Sequence, residues 1–456
     1  MAQFLPSAIH IVVWRPYFRP HTWTMNLGSL SNALRLVGAG IGAIGATVLP
    51  VANPGAGLGA LVLILFLAWA FARPYQAACV LAFLTAAFPK AGIKLDGFPF
   101  PVFLFGLLFA MVLIAMKKKI VNHTALATLA TVLFIFWALF RAAIFASSGI
   151  GTVAAFLAWS AIPLVMLYLA TRIQDNMFSF RRSIEKGFLL AVGYAMLQFA
   201  FSIEATAIPG LTYALGDDLT QKHNVIYGGD GDYSKIPSTY QNGNIFGLVA
   251  AAFLALAIQR IIRRAGTPMD TLVLLASGAA IAVSGSRTAI VASVLAIALL
   301  FLVTGVLKTK VRVVIILGLA VSAVVAFQPQ LLDRYSLANL QESGGAGRSD
   351  MWALALSNLT PLEHWFGSET FILTEGWLGV VMQIGVIGII LMCVAIAFLL
   401  KRRPGFGIAV FVLLIGVVID SSYRFFPTWF LVAALAAASP IQSPISESAK
   451  ARELLS

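Results

Sequence analysis

Four short segments place polar residues in patterns that can do chemistry. Lys235-Ile-Pro-Ser-Thr-Tyr-Gln-Asn-Gly-Asn-Ile-Phe-Gly247 closes a polar stretch and opens a helix. Asn242 or Asn244 can cap the orphan N–H groups of its first turn. The positive end of the helix dipole then faces a sugar or a phosphate, with Lys235 and Tyr240 beside it. Ser284-Gly-Ser-Arg-Thr288 is a tight turn between two apolar runs. Its Arg287 presents five donors in a planar fork suited to phosphate oxygens, although an arginine there can also simply snorkel to lipid headgroups.

The third segment, Gly344-Gly-Ala-Gly-Arg-Ser-Asp-Met-Trp-Ala-Leu-Ala-Leu356, leads from glycines into an amphipathic helix. Ser349 or Asp350 can cap it, and the glycine N–H groups beside Arg348 can form an anion nest. The plain alternative is an interfacial helix covering the bundle. The fourth, Gly367-Ser-Glu-Thr-Phe-Ile-Leu-Thr-Glu-Gly-Trp-Leu-Gly379, sets Glu375 at the mouth of a long apolar run. Glu375 reads either as an exposed loop acid or as a general base, a role that contributes ~10²–10⁴ in rate. Glu369 and Asp350 are its rivals for that role.

The elements that must position these residues are membrane helices. Of 456 residues, 60% are apolar and 11% charged, with a mean hydropathy of +0.92. A water-soluble fold has too little polar surface to cover that much apolar area. Apolar runs of the length needed to cross a bilayer recur, and the short alternating strands of a β-barrel do not. The expected fold is all-α: a polytopic transmembrane helical bundle of about 12–14 spans with two larger periplasmic loops. The spans fall near 34–52, 57–73, 75–89, 98–116, 124–146, 150–171, 187–203, 243–262, 270–284, 287–305, 311–327, 374–400, 406–420 and 426–440.

The resulting organisation is a cytoplasmic N-terminal segment (1–33), N-terminal transmembrane helices (34–203), a first periplasmic loop (204–242) and central helices with the SGSRT turn (243–327). A second periplasmic loop with the GRSDMW helix (328–373), C-terminal helices (374–440) and a cytoplasmic tail (441–456) complete it. Charge supports this orientation. With the N-terminus in the cytoplasm, 22 of the 31 Lys and Arg lie on the cytoplasmic side, and 13 of the 18 Asp and Glu lie outside. The net charge of +13 thus reflects membrane orientation, and no nucleic-acid partner is expected. Cys79 and Cys393 sit in apolar runs and read as buried small hydrophobes. No metal motif and no Walker A loop appears, so no metal or cofactor is expected.

In this order, YQNGNIFG, SGSRTA, GRSDMWALAL and the Gly385-x-x-Gly388 helix resemble the O-antigen ligase/polymerase superfamily of bacterial envelopes, which includes Wzy-type polymerases and WaaL-type ligases. The resemblance covers roughly residues 235–395. It implies a metal-independent glycosyltransferase of the bacterial inner membrane, with both termini cytoplasmic, that polymerises undecaprenyl-diphosphate-linked repeat units into exopolysaccharide or O-antigen. Arg287 and Arg348 match the family's arginines, and Lys235 falls where many members carry Arg. Thr374 takes the position where ligases commonly have His, with Glu375 next to it, which favours a polymerase over a ligase. The implied catalytic set is Arg287, Arg348 and Glu375. The implied substrate-binding set is Lys235, Tyr240, Asn242, Asn244, Asp350, Glu369, Thr374 and Arg424. The implied partners are the undecaprenyl-diphosphate-linked glycan, the lipid bilayer, a flippase and a chain-length co-polymerase. The alternatives are a glycan ligase and a lipid-linked oligosaccharide transporter. Transport predicts charge at mid-bilayer, where Arg141 alone comes near.

Overall fold

The computed structural model describes residues 66–95, 98–117, 125–172, 178–216, 235–240, 242–262, 266–303, 310–311, 313–315, 318, 322, 348–369, 376–400 and 407–419. The chain forms two compact units, residues 1–72 and 73–456. In the first, residues 66–72 are described and are helical. The second carries α1 (Pro74–Ala87), strands β1 (Gly92–Leu95) and β2 (Phe98–Pro101), α2 (Val102–Lys117), α3 (Ala125–Ile144), α4 (Ile150–Trp159), α5 (Ala161–Arg172), α6 (Phe178–Phe201) and α7 (Ile203–Thr206). After these come α8 (Gly243–Ile262), α9 (Pro268–Ser284), α10 (Arg287–Val303), α11 (Arg348–Asn358), α12 (Pro361–Phe366), α13 (Trp377–Leu400) and α14 (Gly407–Ile419). The spans expected at 34–52 and 426–440, most of those at 57–73 and 311–327, the N-terminal segment and the tail lie outside the described residues.

Among the described residues, four helical segments are long and apolar enough to cross a membrane: Ala125–Ser148, Ser179–Phe201, Gly243–Ile262 and Trp377–Leu399. The bent pair α4–α5 makes a fifth if it counts as one span. The described part is therefore an α-helical bundle of a multi-pass membrane protein. Its faces follow the helical period. On α3, Ala127, Ala130, Thr131, Phe134, Ala138 and Arg141 are buried, while Leu126, Leu129, Leu133, Phe136 and Phe140 are exposed. The two sets recur every three to four residues and so occupy opposite sides. Helix α8 is the central strut, almost wholly buried between α9, α10 and α14. Phe188 of α6 stacks on its Phe253 at 4.1 Å between ring centroids.

Several boundaries differ from those expected. The span read as 98–116 begins at Val102, because residues 98–101 pair with 92–95 as an antiparallel hairpin. That hairpin is extended by Leu215, whose N–H donates to the Gly92 carbonyl at 2.8 Å. The run at 150–171 bends by 42° around Ser160. Pro163 has no N–H to give, and its ring collides with the carbonyl four residues back. The run read as 187–203 begins earlier, at Phe178. Its first turns are charged and still buried, since Arg181 pairs with Glu185 at 2.7 Å. Arg260 joins them, 3.7 Å from Glu185 and 3.2 Å from Asp270 of α9. Cys79 is only partly buried and Cys393 is exposed, contrary to the expectation for both.

Helix starts follow their caps. Thr267 and Asp270 form a capping box around Pro268, and Thr360 and Glu363 form one around Pro361. The loop before α8 is pinned by side chains. Ser238 Oγ donates to the Ala191 carbonyl at 2.6 Å, Thr239 Oγ1 to Ala87 at 2.6 Å and Tyr240 Oη to Ala86 at 3.0 Å. The last two carbonyls end α1 and would otherwise have no intrahelical partner.

Candidate functional site

The start of α8 is built as its sequence suggests. Asn242 Oδ1 accepts the Ile245 N–H at 3.0 Å, so Asn242 is the cap. Asn244 lies within the first turn and accepts from Lys235 Nζ at 3.0 Å. The α9–α10 turn packs directly on this helix start. A Cβ added at Gly243 would lie 2.5 Å from the Ser284 carbonyl and 2.7 Å from Lys235 Cβ. One added at Gly247 would lie 2.5 Å from Ser284 Oγ and 2.9 Å from Ser286 Cβ. Only glycine permits an approach this close.

The turn itself closes through Gly285 at φ 59°, a left-handed conformation that most side chains resist. Ser286 Oγ then accepts the Ala289 N–H at 3.2 Å and caps α10. Arg287 is the first residue of α10 and is partly exposed. Lys235 and the turn bearing Arg287 therefore flank the same glycine, at the N-termini of two helices. The two cations and the positive ends of α8 and α10 favour an anion there, opposed by the negative end of α9 at Ser284.

A chain of contacts runs from this point towards the second polar region. Leu248, one turn along α8 from Asn244, packs over Gly416 of α14. Two residues on, the Val418 carbonyl lies 2.8 Å from the Cβ position of Gly376, and Trp352 of α11 lies equally close to it. Trp352 meets Trp377 edge-on at 6.5 Å and packs on Leu378, Val381 and Met382. Arg348 and Asp350 lie in the first turn of α11, Arg348 roughly 6 Å along the axis from Trp352. Glu369 is exposed, just beyond α12. Thr374, Glu375 and Arg424 lie outside the described residues.

Tyr240 departs from its expected sugar-binding role. It is 1% exposed, its hydroxyl is committed to Ala86, and its ring leans on Phe246 at 5.5 Å. Burial pushes its phenol well above the usual range, which keeps it neutral. It anchors the loop and offers no open face for stacking.

Sequence reasoning passed over a second construction. Helix α13 breaks at Gly385 (φ 65°, ψ 172°), where the Gly-x-x-Gly pattern read only as a helix motif. Arg141, only 2% exposed, reaches this break. Its Nε donates to the Gln383 carbonyl at 2.9 Å and its Nη2 to the Ser368 carbonyl. Its guanidinium carbon lies 4.8 Å from the centre of the Phe145 ring. The usable signal was a charged residue in an apolar run facing a glycine-punctuated one. Among the described residues, no group of three or more His, Cys, Asp or Glu side chains is arranged to hold a metal. No family model, curated protein or solved structure matches the chain.

Proposed function

We propose that the protein is a membrane glycosyltransferase that polymerises undecaprenyl-diphosphate-linked oligosaccharide repeat units at the periplasmic face of the bacterial inner membrane. The observation that carries this reading is the docking of the Arg287 turn onto the Lys235–Asn244 helix start. It gathers positive charge at one end of the bundle, where an anionic lipid headgroup can approach. The ordered family-like motifs supply the donor class, and the excess of Lys and Arg in the other set of loops supplies the orientation.

In the proposed reaction a hydroxyl of the acceptor glycan attacks C1 of the donor sugar and inverts it. The C1–O bond breaks, and its electron pair leaves on the diphosphate. Arg287, Lys235 and Arg348 stabilise that charge where it develops, usually the largest catalytic contribution. Glu375 takes the proton of the attacking hydroxyl. The lipid tail lies in the bilayer beside the apolar helix faces, and a flippase and a chain-length co-polymerase supply and limit the substrate.

The test uses purified protein in detergent with a lipid-linked oligosaccharide, the product being resolved by length on gels. Arg287→Ala and Arg348→Ala are each expected to lower the rate by ~10²–10³, and Glu375→Gln by ~10²–10⁴. Full-length polymer from both arginine variants at normal protein yield would end the proposal. Transport of the same lipid is the second reading, favoured by the broken helix α13, since transporters build sites at such breaks. Polymer formed without a sealed membrane separates the two.

A further inference from the structure

A break inside an apolar helix releases carbonyls that lipid cannot hydrate, so each needs a donor from the protein. At Gly385 three are accounted for. The Met382 carbonyl accepts the Ser368 N–H at 2.7 Å, the Gln383 carbonyl accepts Arg141 Nε at 2.9 Å, and the Ile384 carbonyl accepts Trp137 Nε1 at 2.8 Å. Two donors come from α3 and one from the segment after α12. Arg141 adds a side-chain bridge to the Ser368–Met382 backbone bond, because its Nη2 also donates to the Ser368 carbonyl. The fit is close on every side. A Cβ at Gly385 would lie 2.3 Å from the Trp365 carbonyl, and one at Gly367 would lie 2.9 Å from Arg141 Nη2.

We infer that Arg141 is a positioning residue for the proposed site. It clamps the 365–369 segment into the break and holds residues 377–384 as a separate half-helix. One described end of the connection that carries Glu375, Ser368–Glu369, is thereby fixed, and the other, Gly376–Trp377, is packed by Trp352 and the Val418 carbonyl. A guanidinium suits this task because its planar fork serves two carbonyls from different segments at once, whereas an ammonium is a single point of contact. The link to catalysis rests on the proposed role of Glu375; the clamp itself does not.

The test uses the full chain in native membranes, with Cys79→Ala and Cys393→Ala, carrying Ser368→Cys. Position 368 is 2% exposed, so its thiol should react slowly with a maleimide. Adding Arg141→Lys or Arg141→Met is expected to raise the labelling rate at least tenfold, while Arg287→Ala leaves it unchanged. In chains with Ser368 intact, Arg141→Lys is expected to lower kcat at least tenfold with KM for the lipid-linked oligosaccharide unchanged. Should Arg141→Met fail to accumulate, Arg141→Lys and Trp137→Phe carry the same measurement. Slow labelling in the Arg141→Lys chain overturns the clamp. Fast labelling with wild-type kcat overturns the positioning role. A wild-type chain without polymerase activity sinks the proposed function and leaves the clamp to be decided by labelling alone.

Discussion

Arg141 and Arg287 stand at ends of apolar helices, and the fold treats them differently. Arg141 is enclosed: two carbonyls and the Phe145 ring take up its guanidinium. Arg287 opens its helix partly exposed, on a turn that glycines allow to press against α8. An arginine at mid-bilayer costs about 2.5–3.5 kcal/mol on insertion scales and less towards a helix end, and the protein's own backbone offsets what Arg141 incurs in the last turn of α3. A guanidinium so enclosed holds structure together. One that is partly exposed at a helix start is the kind the proposed function uses. The comparison teaches that surroundings, more than depth, divide an enclosed arginine from a partly exposed one.

Substitutions can break this contrast. The largest effect is expected for Gly385→Ala, which forces an alanine to φ 65° with its Cβ against the Trp365 carbonyl. Strain and overpacking together come to roughly 2–6 kcal/mol, so thermal unfolding in detergent should show a lost or severely lowered transition. Arg287→Ala should cost under about 1 kcal/mol by the same assay, as expected of a partly exposed site, while abolishing most polymer formation. Equal destabilisation by Arg287→Ala and Arg141→Met would erase the distinction.

Smaller effects sharpen it. Tyr240→Phe removes the donor to the buried Ala86 carbonyl and should cost ~1–3 kcal/mol, without the selective loss of sugar affinity that a stacking residue would show on titration with free glycan. The smallest effect is at Glu363. Its carboxyl is held below the usual carboxylate range, first by the Thr360 backbone N–H and then by the Thr360 hydroxyl. The folded chain therefore releases that proton more readily than the unfolded one. The stability it contributes is present above the unfolded pKa and is lost as pH falls through the folded pKa. The melting-temperature difference between wild type and Glu363→Ala should shrink as the pH is lowered from neutral through the carboxylate range.

The helix ends around the candidate site were legible because their determinants are local. Asn242, three residues before Ile245, caps α8 as its type and place imply, and the Ser284–Thr288 turn lies where its small residues put it. The break at Gly385 is not legible in the sequence, since two glycines three apart in an apolar run serve close helix packing equally well. Arg141 was weighed only as a mid-membrane charge because its partners, Ser368 and Gln383, are 227 and 242 residues away in the chain. The early start of α6 is hidden for a related reason: its Glu185 is paired by Arg181 and by Arg260 of α8, 75 residues away. The resemblance puts Tyr240 in the substrate-binding set, whereas its hydroxyl partner, the Ala86 carbonyl, lies 154 residues away in α1.

The pinning of the 238–240 loop onto α1 also constrains biogenesis. Thr239 and Tyr240 follow their acceptors by 152 and 154 residues. At ~5–20 residues per second of synthesis, the end of α1 leaves the ribosome about 10–30 s before the hydroxyls that satisfy it. During that interval its last carbonyls must stay in contact with water. The two hydrogen bonds that finish the end of α1 therefore form late, once the segment leading into α8 has been made.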